Sequence, residues 1–479
     1  MSELPVRRLD EELWEIPRDA RPGMRVPARL FANAELLEAI RGDRSLEQLA
    51  NVATLPGMVD AALAMPDIHQ GYGFPVGGVG ATEAPDGVVS PGGVGYDINC
   101  GVRLLAVPLD VEELDDRRET LVHEISRRVP VGTGGKGAGG GITGASLDRV
   151  LAEGPRALVE DPGVGTEDDL RFTESNGRLD GADPALVSPR ARQRGAGQIG
   201  TLGSGNHFLE LQRLDRIDDA AAARAYGLRE GQLTILIHSG SRGLGHQVCT
   251  DFVKRMDAAR ARHGIELPDR QLSCAPMGSD DGQDYLGAMA AAANFAWANR
   301  AAIAHRCREA IAQVLGRETA AGARLVYDVA HNVAKLERHD GREVCVHRKG
   351  ATRAYPPGHP EIPEEYRSAG QPVFIPGSMG TASFVLAGRP GSMERSFGTT
   401  CHGAGRRLSR SAVRRQVQGP ALRRQLEERG ITVRAPSSRG LAEEAPEAYK
   451  DVERVVEVVE RAGLAARVAR LRPIGVVKG

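Results

Sequence analysis

Fifty-nine glycines among 479 residues exceed the usage of about 7% found in ordinary chains, and they stand in runs beside histidine, aspartate and serine. Glycine tolerates left-handed backbone and close approach by another group, so such runs mark tight turns or backbone-lined anion sites rather than helix interiors. From Met65 to Leu109 they break short apolar segments, PDIHQGYGFPVGGVGAT and then GVVSPGGVGYDINCGVRLLAVPL, which read as buried strands. Hydrophobic residues at 41% and charged residues at 26% supply an ordinary globular core. Lysine and arginine number 62 against 63 acids, a net charge of -1, so any nucleic-acid site must be a local basic patch. Six dispersed cysteines without a CxxC pair point to a reducing, cytoplasmic setting. The N-terminus lacks an apolar leader, and no apolar run approaches the ~18 residues of a membrane span. Neither export nor membrane anchoring is expected.

Spacing along the chain predicts two short amphipathic helices within residues 24 to 64 and a helix over 112 to 128. The tract VGTGGKGAGGG that follows reads as a mobile loop. Residues 155 to 200 are polar and weakly periodic, fitting short helices and irregular connections. Strand-and-loop units are expected at 203 to 214 and 233 to 249, and the alanine-rich stretch 283 to 315 predicts a long helix with one apolar face, covering a sheet. Further strands fit RLVYDVAHNVAKL, EVCVHRKG, QPVFIPGSMGTASFVLAG and PIGVVKG, with helices at roughly 404 to 430 and 447 to 470. No regular βαβ period, repeat, GxxxxGK[ST] loop or strand-GxGxxG-helix unit is present. The expected fold is therefore α+β: one large domain over 1–479 with mixed β-sheets covered by helices.

Gly95-Tyr96-Asp97-Ile98-Asn99-Cys100-Gly101 places a carboxylate and a thiol three residues apart in a glycine-flanked turn. His207, His238 and His331 stand at similar strand ends. Thiolate, imidazole and carboxylate together suit Zn, Mn, Co or Fe better than Mg or Ca. One cysteine with three histidines and one aspartate is unlike a closed structural zinc shell and leaves positions for substrate. A single histidine near a turn is more often a satisfied polar residue; convergence of the whole set favours a metal site. Cys249, Cys274, Cys307 and Cys345 read instead as small buried hydrophobes.

Three further loops bear on phosphate. Ser239-Gly240-Ser241-Arg242-Gly243-Leu244-Gly245-His246 follows an apolar strand and reads as an N–H nest with Arg242 as a forked donor. His347-Arg348-Lys349-Gly350-Ala351-Thr352-Arg353 is a basic cluster, and Pro376 to Ser383 forms a glycine and hydroxyl loop. In Cys401-His402-Gly403-Ala404-Gly405-Arg406 a phosphate could approach the backbone beside a histidine able to form a phosphoramidate. From that hexapeptide alone a capping or metal-binding histidine fits equally. Arg406, Arg407, Arg410, Arg414 and Arg415 read as a basic helix suited to an RNA backbone.

Taken in order, PDIHQGYGFPVGGV, GVGYDINCGVRL, GSGNHFLE, HSGSRGLGHQ, AHN, HRKGATRAYPPG, PGSMGTAS, HGAGR and PIGVVKG closely resemble the RtcB family of RNA ligases, from about residue 24 to the last. The resemblance implies two Mn²⁺ ions, one on Asp97, Cys100 and His207 and the other on Cys100, His238 and His331. It implies that His402 is the guanylylated nucleophile. Around GTP it implies Asn206, His207, Phe208, Leu209 and Glu210, then His331 and Asn332, and then Pro376, Gly377, Ser378, Met379 and Ser383. His402, Gly403, Ala404 and Gly405, with Tyr449 and Lys478, complete that set. Tyr449 could stack on the purine, Glu210 accept its N–H groups and Lys478 approach O6. The implied activity joins RNA 3′-phosphate or 2′,3′-cyclic phosphate ends to 5′-hydroxyl ends through guanylylated histidine and guanylylated RNA, in tRNA splicing or RNA repair. The implied enzyme is a monomer, acting on tRNA halves or broken RNA ends, with an archease-type activator as a further partner. A dinuclear phosphatase or nuclease would share the metal ligands without needing His402, and a non-catalytic RNA-binding protein would need neither.

Overall fold

The computed structural model describes residues 4–114, 116–132, 145–161 and 163–479. Two large sheets dominate it. The first runs Arg7–Arg8, Leu13–Ile16, Ala28–Phe31, Ala62–His69, Val76–Glu83, Arg342–Lys349, Asn332–His339. It is antiparallel except where Ala28–Phe31 lies parallel to Ala62–His69. The second runs Arg324–Ala330, Gly101–Asp110, Gln232–Ser239, Phe208–Ile217, Ala465–Lys478, Ser383–Gly388, Pro372–Ile375, with Thr432–Arg434 parallel to the chain-terminal strand. Mixed sheets packed with helices make the fold α+β, as expected.

Register determines what this architecture can carry. In the second sheet Ala330 pairs with Gly101, Gly101 with Ser239, and Phe208 with His238. Antiparallel order sets the end of one strand beside the start of the next, so Cys100, His207, His238 and His331 gather along one edge. His331 lies between Arg324–Ala330 of the second sheet and Asn332–His339 of the first, at the point where the chain passes from one sheet to the other.

The helix Asp280–Leu315 begins at Ser279, whose hydroxyl accepts from Gly282 N, and ends at Gly316. It packs on Gln232–Ser239 and on the helices Arg117–Arg128, Ala145–Glu153 and Arg242–Ala259. Every residue from Gly287 to Ala304 is buried, so this helix is enclosed on all sides and does not present the single apolar face that its periodicity predicts. Small alanine side chains allow neighbours to approach from every direction. Buried Asn294, Asn299 and Arg300 interrupt the alanines.

Other differences from expectation have local causes. ARLFANAELLEAIR splits into the strand Ala28–Phe31 and the helix Ala34–Ile40, because the Asn33 side chain accepts from Leu36 N and starts the helix there. Residues 447–470 are helical only over Val452–Arg461, apart from a short turn at Pro446–Ala448; after Gly463, at φ +71°, sheet pairing makes Ala465–Lys478 a strand. Residues 404–409 are not helical; the helices there are Arg410–Gln416 and Gly419–Glu428. In the unit at 203 to 214 the loop precedes its strand, Phe208–Ile217. Most of the expected mobile tract, beyond Gly132, lies outside the described residues. No helix among the described residues is long and apolar enough to cross a membrane.

The basic cluster 347–353 is largely inside the protein. Arg348 is buried, donates to Glu337 Oε2 at 2.9 Å, to Phe397 O at 2.7 Å and to Thr399 Oγ1 at 2.9 Å. Arg353 pairs with Glu361 at 2.5 Å and faces Glu174 at 3.7 Å. These two arginines therefore hold strands together and are not free to bind phosphate. Glu337→Ala leaves Arg348 buried without its carboxylate, which costs about 3–5 kcal/mol in comparable buried pairs. A thermal-unfolding midpoint several degrees below that of the parent chain is expected, and an unchanged midpoint contradicts this role.

Candidate active site

Four strand ends and one turn bring five polar side chains together. Cys100 Sγ lies 3.4 Å from His207 Nε2 and 3.3 Å from His238 Nε2. His207 Nε2 is 2.7 Å from Asp97 Oδ2, and His238 Nε2 is 3.4 Å from His331 Nε2. Their donor atoms form two groups, Asp97–Cys100–His207 and Cys100–His238–His331, each drawn within 4.8 Å and sharing the sulfur. Burial, and then neighbouring histidines, push the His238 and His331 imidazoles well below the ordinary range, which keeps them neutral and able to donate lone pairs. Burial and then Asp97 push the Cys100 thiol well above its usual value, so a cation binding there must displace a proton. Two imidazole nitrogens facing each other beside a sulfur fit a thiophilic cation far better than they fit one another. The donors present thus suit the two metal ions that the family resemblance implies.

The glycines beside these ligands make space for them. A Cβ on Gly240 would stand 2.4 Å from Asp97 Oδ1, which instead accepts from Ser241 N at 3.0 Å. The expected phosphate nest at 239–246 is therefore different in kind: Gly240 and Ser241 seat a carboxylate, and Arg242 opens the helix Arg242–Ala259. The Arg242 guanidinium donates to Thr201 Oγ1 and Gly132 O, both at 3.3 Å, and is buried.

His402 follows the short strand Thr399–Cys401, which pairs with Ala351–Arg353. Its Nδ1 lies 2.6 Å from Asp67 Oδ2, and the same oxygen accepts from His402 N at 3.0 Å and Gly403 N at 3.2 Å. Asp67 is fully buried; its burial favours the neutral acid, but His402 and Lys450 outweigh that and hold the carboxyl below its usual value. With Nδ1 held in this way, Nε2 is the nitrogen left for chemistry. The ring centroids of His402 and His331 are 4.8 Å apart. Gly405, at φ +74°, is required here because a Cβ would meet Asp67 O at 2.1 Å.

A cavity of about 290 Å³ opens beside this histidine, between the two sheets. Asn206, Phe208, His238, His331, Asn332, Pro376, Gly377, His402, Gly403, Ala404, Gly405 and Tyr449 line it. Glu210, Ser383 and Lys478 are buried and do not line it. Gln212 Nε2 donates to Glu210 Oε2 at 2.8 Å and Ser383 Oγ at 3.1 Å, while Lys478 Nζ stands 5.8 Å from the Phe208 ring and donates to Gly205 O and His207 O. Burial pushes the Glu210 carboxyl up to about 8. Leu209 packs in the core beneath the sheet, and Met379 packs with Val413 and Leu422; neither lines the cavity. Ser378 is held by its own turn, its N donating to Thr381 Oγ1 at 2.8 Å. Tyr449 gives its hydroxyl to Glu444, and the Arg406 guanidinium lies 5.0 Å over its ring.

The expected basic helix is partly neutralised, since Arg406 and Arg410 face Glu444 and Arg414 faces Glu443. Arg407 precedes the helix and is exposed, as is Arg415. Residue patterns alone overlooked Asp67, His69 and Tyr96, which belong to this site or its wall. A lone carboxylate inside the apolar strand Ala62–His69 was the available signal for Asp67.

Because the two cation groups share one sulfur, their ligands should fail unequally. Equilibrium dialysis against Mn²⁺ is expected to give two bound ions for the parent chain, one for His331→Ala or Asp97→Ala, and none held tightly by Cys100→Ala. Two tight ions on Cys100→Ala would contradict a shared ligand.

A family model described as tRNA-splicing ligase RtcB matches residues 48–479. The chain is similar to the tRNA-splicing ligase RtcB of Thermococcus kodakarensis, 54% identical over 99% of each chain, and to that of Archaeoglobus fulgidus, 53% identical over 99% of each. It is 55% identical to the RNA-splicing ligase RtcB of Mycobacterium tuberculosis over 90% of this chain and all of that one. With a family model covering nearly the whole chain and relatives matched end to end above half identity, the chain belongs to the RtcB family.

Proposed function

We propose that the protein is a GTP-dependent RNA ligase that joins 3′-phosphate or 2′,3′-cyclic phosphate ends to 5′-hydroxyl ends, with His402 as the nucleophile. One observation carries this reading. His402, fixed through Nδ1 by the buried Asp67 carboxylate, lines the same cavity as His238 and His331, which share a group with the Cys100 sulfur. A histidine held through Nδ1 presents Nε2 as a nucleophile, which nucleotidyl transfer to imidazole needs.

His402 Nε2 attacks the α-phosphorus of GTP; the new N–P bond forms as the bond to pyrophosphate breaks. Asp67 stabilises the positive charge that develops on the ring, as a carboxylate does for a catalytic histidine elsewhere. The guanylyl group then passes to an RNA 3′-phosphate, itself formed from a cyclic end by water. Finally the 5′-hydroxyl attacks that phosphorus and GMP departs. Asp97, Cys100, His207, His238 and His331 would hold two Mn²⁺ ions, which supply charge stabilisation for attacking and leaving oxygens.

In this reading Tyr449 and Phe208, which line the cavity, would flank the purine, with Glu210 as acceptor and Lys478 as donor for guanine. Exposed Arg407 and Arg415, which have no ion-pair partner among the described residues, suit an RNA backbone. The archaeal relatives, named tRNA-splicing ligases, support tRNA halves as substrate, and broken RNA ends present the same chemistry. We read the protein as a cytoplasmic monomer, with an archease-type activator as a candidate partner.

Incubation with α-labelled GTP and Mn²⁺ should leave an acid-labile label on the parent chain and none on His402→Ala; label persisting on His402→Ala removes the assignment. Asp67→Asn is expected to slow labelling by roughly 10²–10⁴-fold with little change in GTP binding. For base choice, Glu210→Gln should lower the preference for GTP over ATP by roughly 2- to 10-fold, the worth of a hydrogen bond between neutral groups, since burial holds this carboxyl up to about 8. Competition between the two nucleotides in the labelling reaction measures it, and an unchanged preference excludes Glu210 from guanine recognition.

A further inference from the structure

Two adjacent residues in the middle of the enclosed helix Asp280–Leu315 reach the backbone of three loops that carry cation ligands. Arg300 Nη1 donates to Asn99 O at 2.7 Å and to Ser239 O at 3.0 Å, and Nη2 donates to Asn99 Oδ1 at 3.0 Å. Asn99 precedes Cys100, and Ser239 follows His238. Asn299 Nδ2 donates to Ser239 Oγ and Gly240 O, both at 3.1 Å, and to Thr201 O at 3.2 Å. Its Oδ1 accepts from Gly200 N at 2.8 Å and Thr201 N at 3.1 Å, in the loop that leads to His207. Both side chains are fully buried.

The guanidinium is itself held. Asp328 accepts from Arg300 Nη2 at 2.7 Å and from Arg103 Nε at 2.7 Å, and all three residues are buried. Two arginines on one carboxylate leave an excess positive charge in the interior, on the side of Asn99 and Cys100. The fit is tight: a Cβ on Gly101 would stand 3.0 Å from Arg300 Cζ. Asn99 sits at φ +52°, a left-handed conformation that asparagine tolerates, with its Nδ2 donating to Ala293 O of the same helix at 2.7 Å.

We infer that Asn299 and Arg300 are positioning residues that hold the Cys100, His207 and His238 loops in the one arrangement that lets a single sulfur serve both cation groups. This rests on the two-cation reading above. Neither residue touches a cation or substrate; they act through the backbone of the residues that do. A third buried polar residue of the same helix provides the contrast. Asn294 donates to Leu151 O and accepts from Leu179 N, and its side chain has no hydrogen bond to a ligand loop among the described residues.

The test titrates folded chains with Co²⁺, following the thiolate-to-cobalt absorption band and, by dialysis, the number and affinity of bound ions. Arg300→Lys keeps the charge but loses the fork, and Asn299→Ser keeps a small polar group. Each is expected to weaken cation binding by about 10- to 100-fold, as outer partners of metal ligands generally do, and to alter the thiolate band. Asn294→Ser should lower the unfolding midpoint and leave both readouts at parent values. Should Arg300→Lys not fold, Asn299→Ser decides alone. Parent-like affinity and band in the folded variants overturn the inference, as does equal weakening in Asn294→Ser. A parent chain that binds two ions with no thiolate band, or fewer than two, overturns the two-cation reading and the inference with it.

Discussion

One buried sulfur stands within 3.4 Å of two imidazole nitrogens, and the rest of the structure is arranged around that convergence. Cys100 comes from the turn that leads into the strand Gly101–Asp110, His207 from the start of one strand, His238 from the end of the next, and His331 from the crossover. Only antiparallel neighbours in the register observed can bring those ends to one edge. A slip of one residue in any of these pairings would turn His238 or Phe208 to the opposite face. Sheet order and register therefore set which donor atoms meet.

Electrostatics beneath the site serve the same end. Three buried carboxylates are matched by fixed cations: Asp328 by Arg103 and Arg300, Glu337 by Arg348, Glu174 by Lys335 and Arg353. Burial alone would raise the Glu174 carboxyl, yet Lys335 and Arg353 hold it down to about 2. Glu174 also accepts from Ala330 N at 2.8 Å, one residue before His331, while Arg348 ties the strand Arg342–Lys349 to Thr399, three residues before His402. Ion pairs of this kind contribute little net stability compared with apolar packing, but they are directional. They fix the loops that an apolar core would leave free to shift.

Much of this was legible in the sequence, and for identifiable reasons. Asp97, Cys100, His207, His238 and His331 could be singled out because each is a metal-binding residue type at a strand boundary, the first four within two residues of a glycine. Their division into two groups could not be read from spacing, since it depends on which strands are neighbours; it entered through family resemblance, and the geometry brings the same two groups together. Gly240 and Gly405 were recognisable as close-approach positions, but what approaches them is Asp97 and Asp67 respectively, where phosphate was expected. The basic run 347–353 misled because charge in a sequence carries no sign of burial; Glu337 and Glu174, distant in the chain, neutralise it. Likewise the alanine-rich helix read as a cover, because periodicity reports apolar faces and is silent about a helix surrounded on all sides. Its Asn299 and Arg300, polar breaks in a run of alanines, were the residues to notice.

The central claim is that one thiolate belongs to two cation sites. Anomalous diffraction at the manganese edge, from crystals of the chain equilibrated with Mn²⁺, tests it most directly. The account predicts two peaks about 3.5–4 Å apart, as in other two-metal sites, both within bonding distance of Cys100 Sγ, one flanked by Asp97 and His207 and the other by His238 and His331. A single peak, or two peaks of which only one contacts the sulfur, would contradict it.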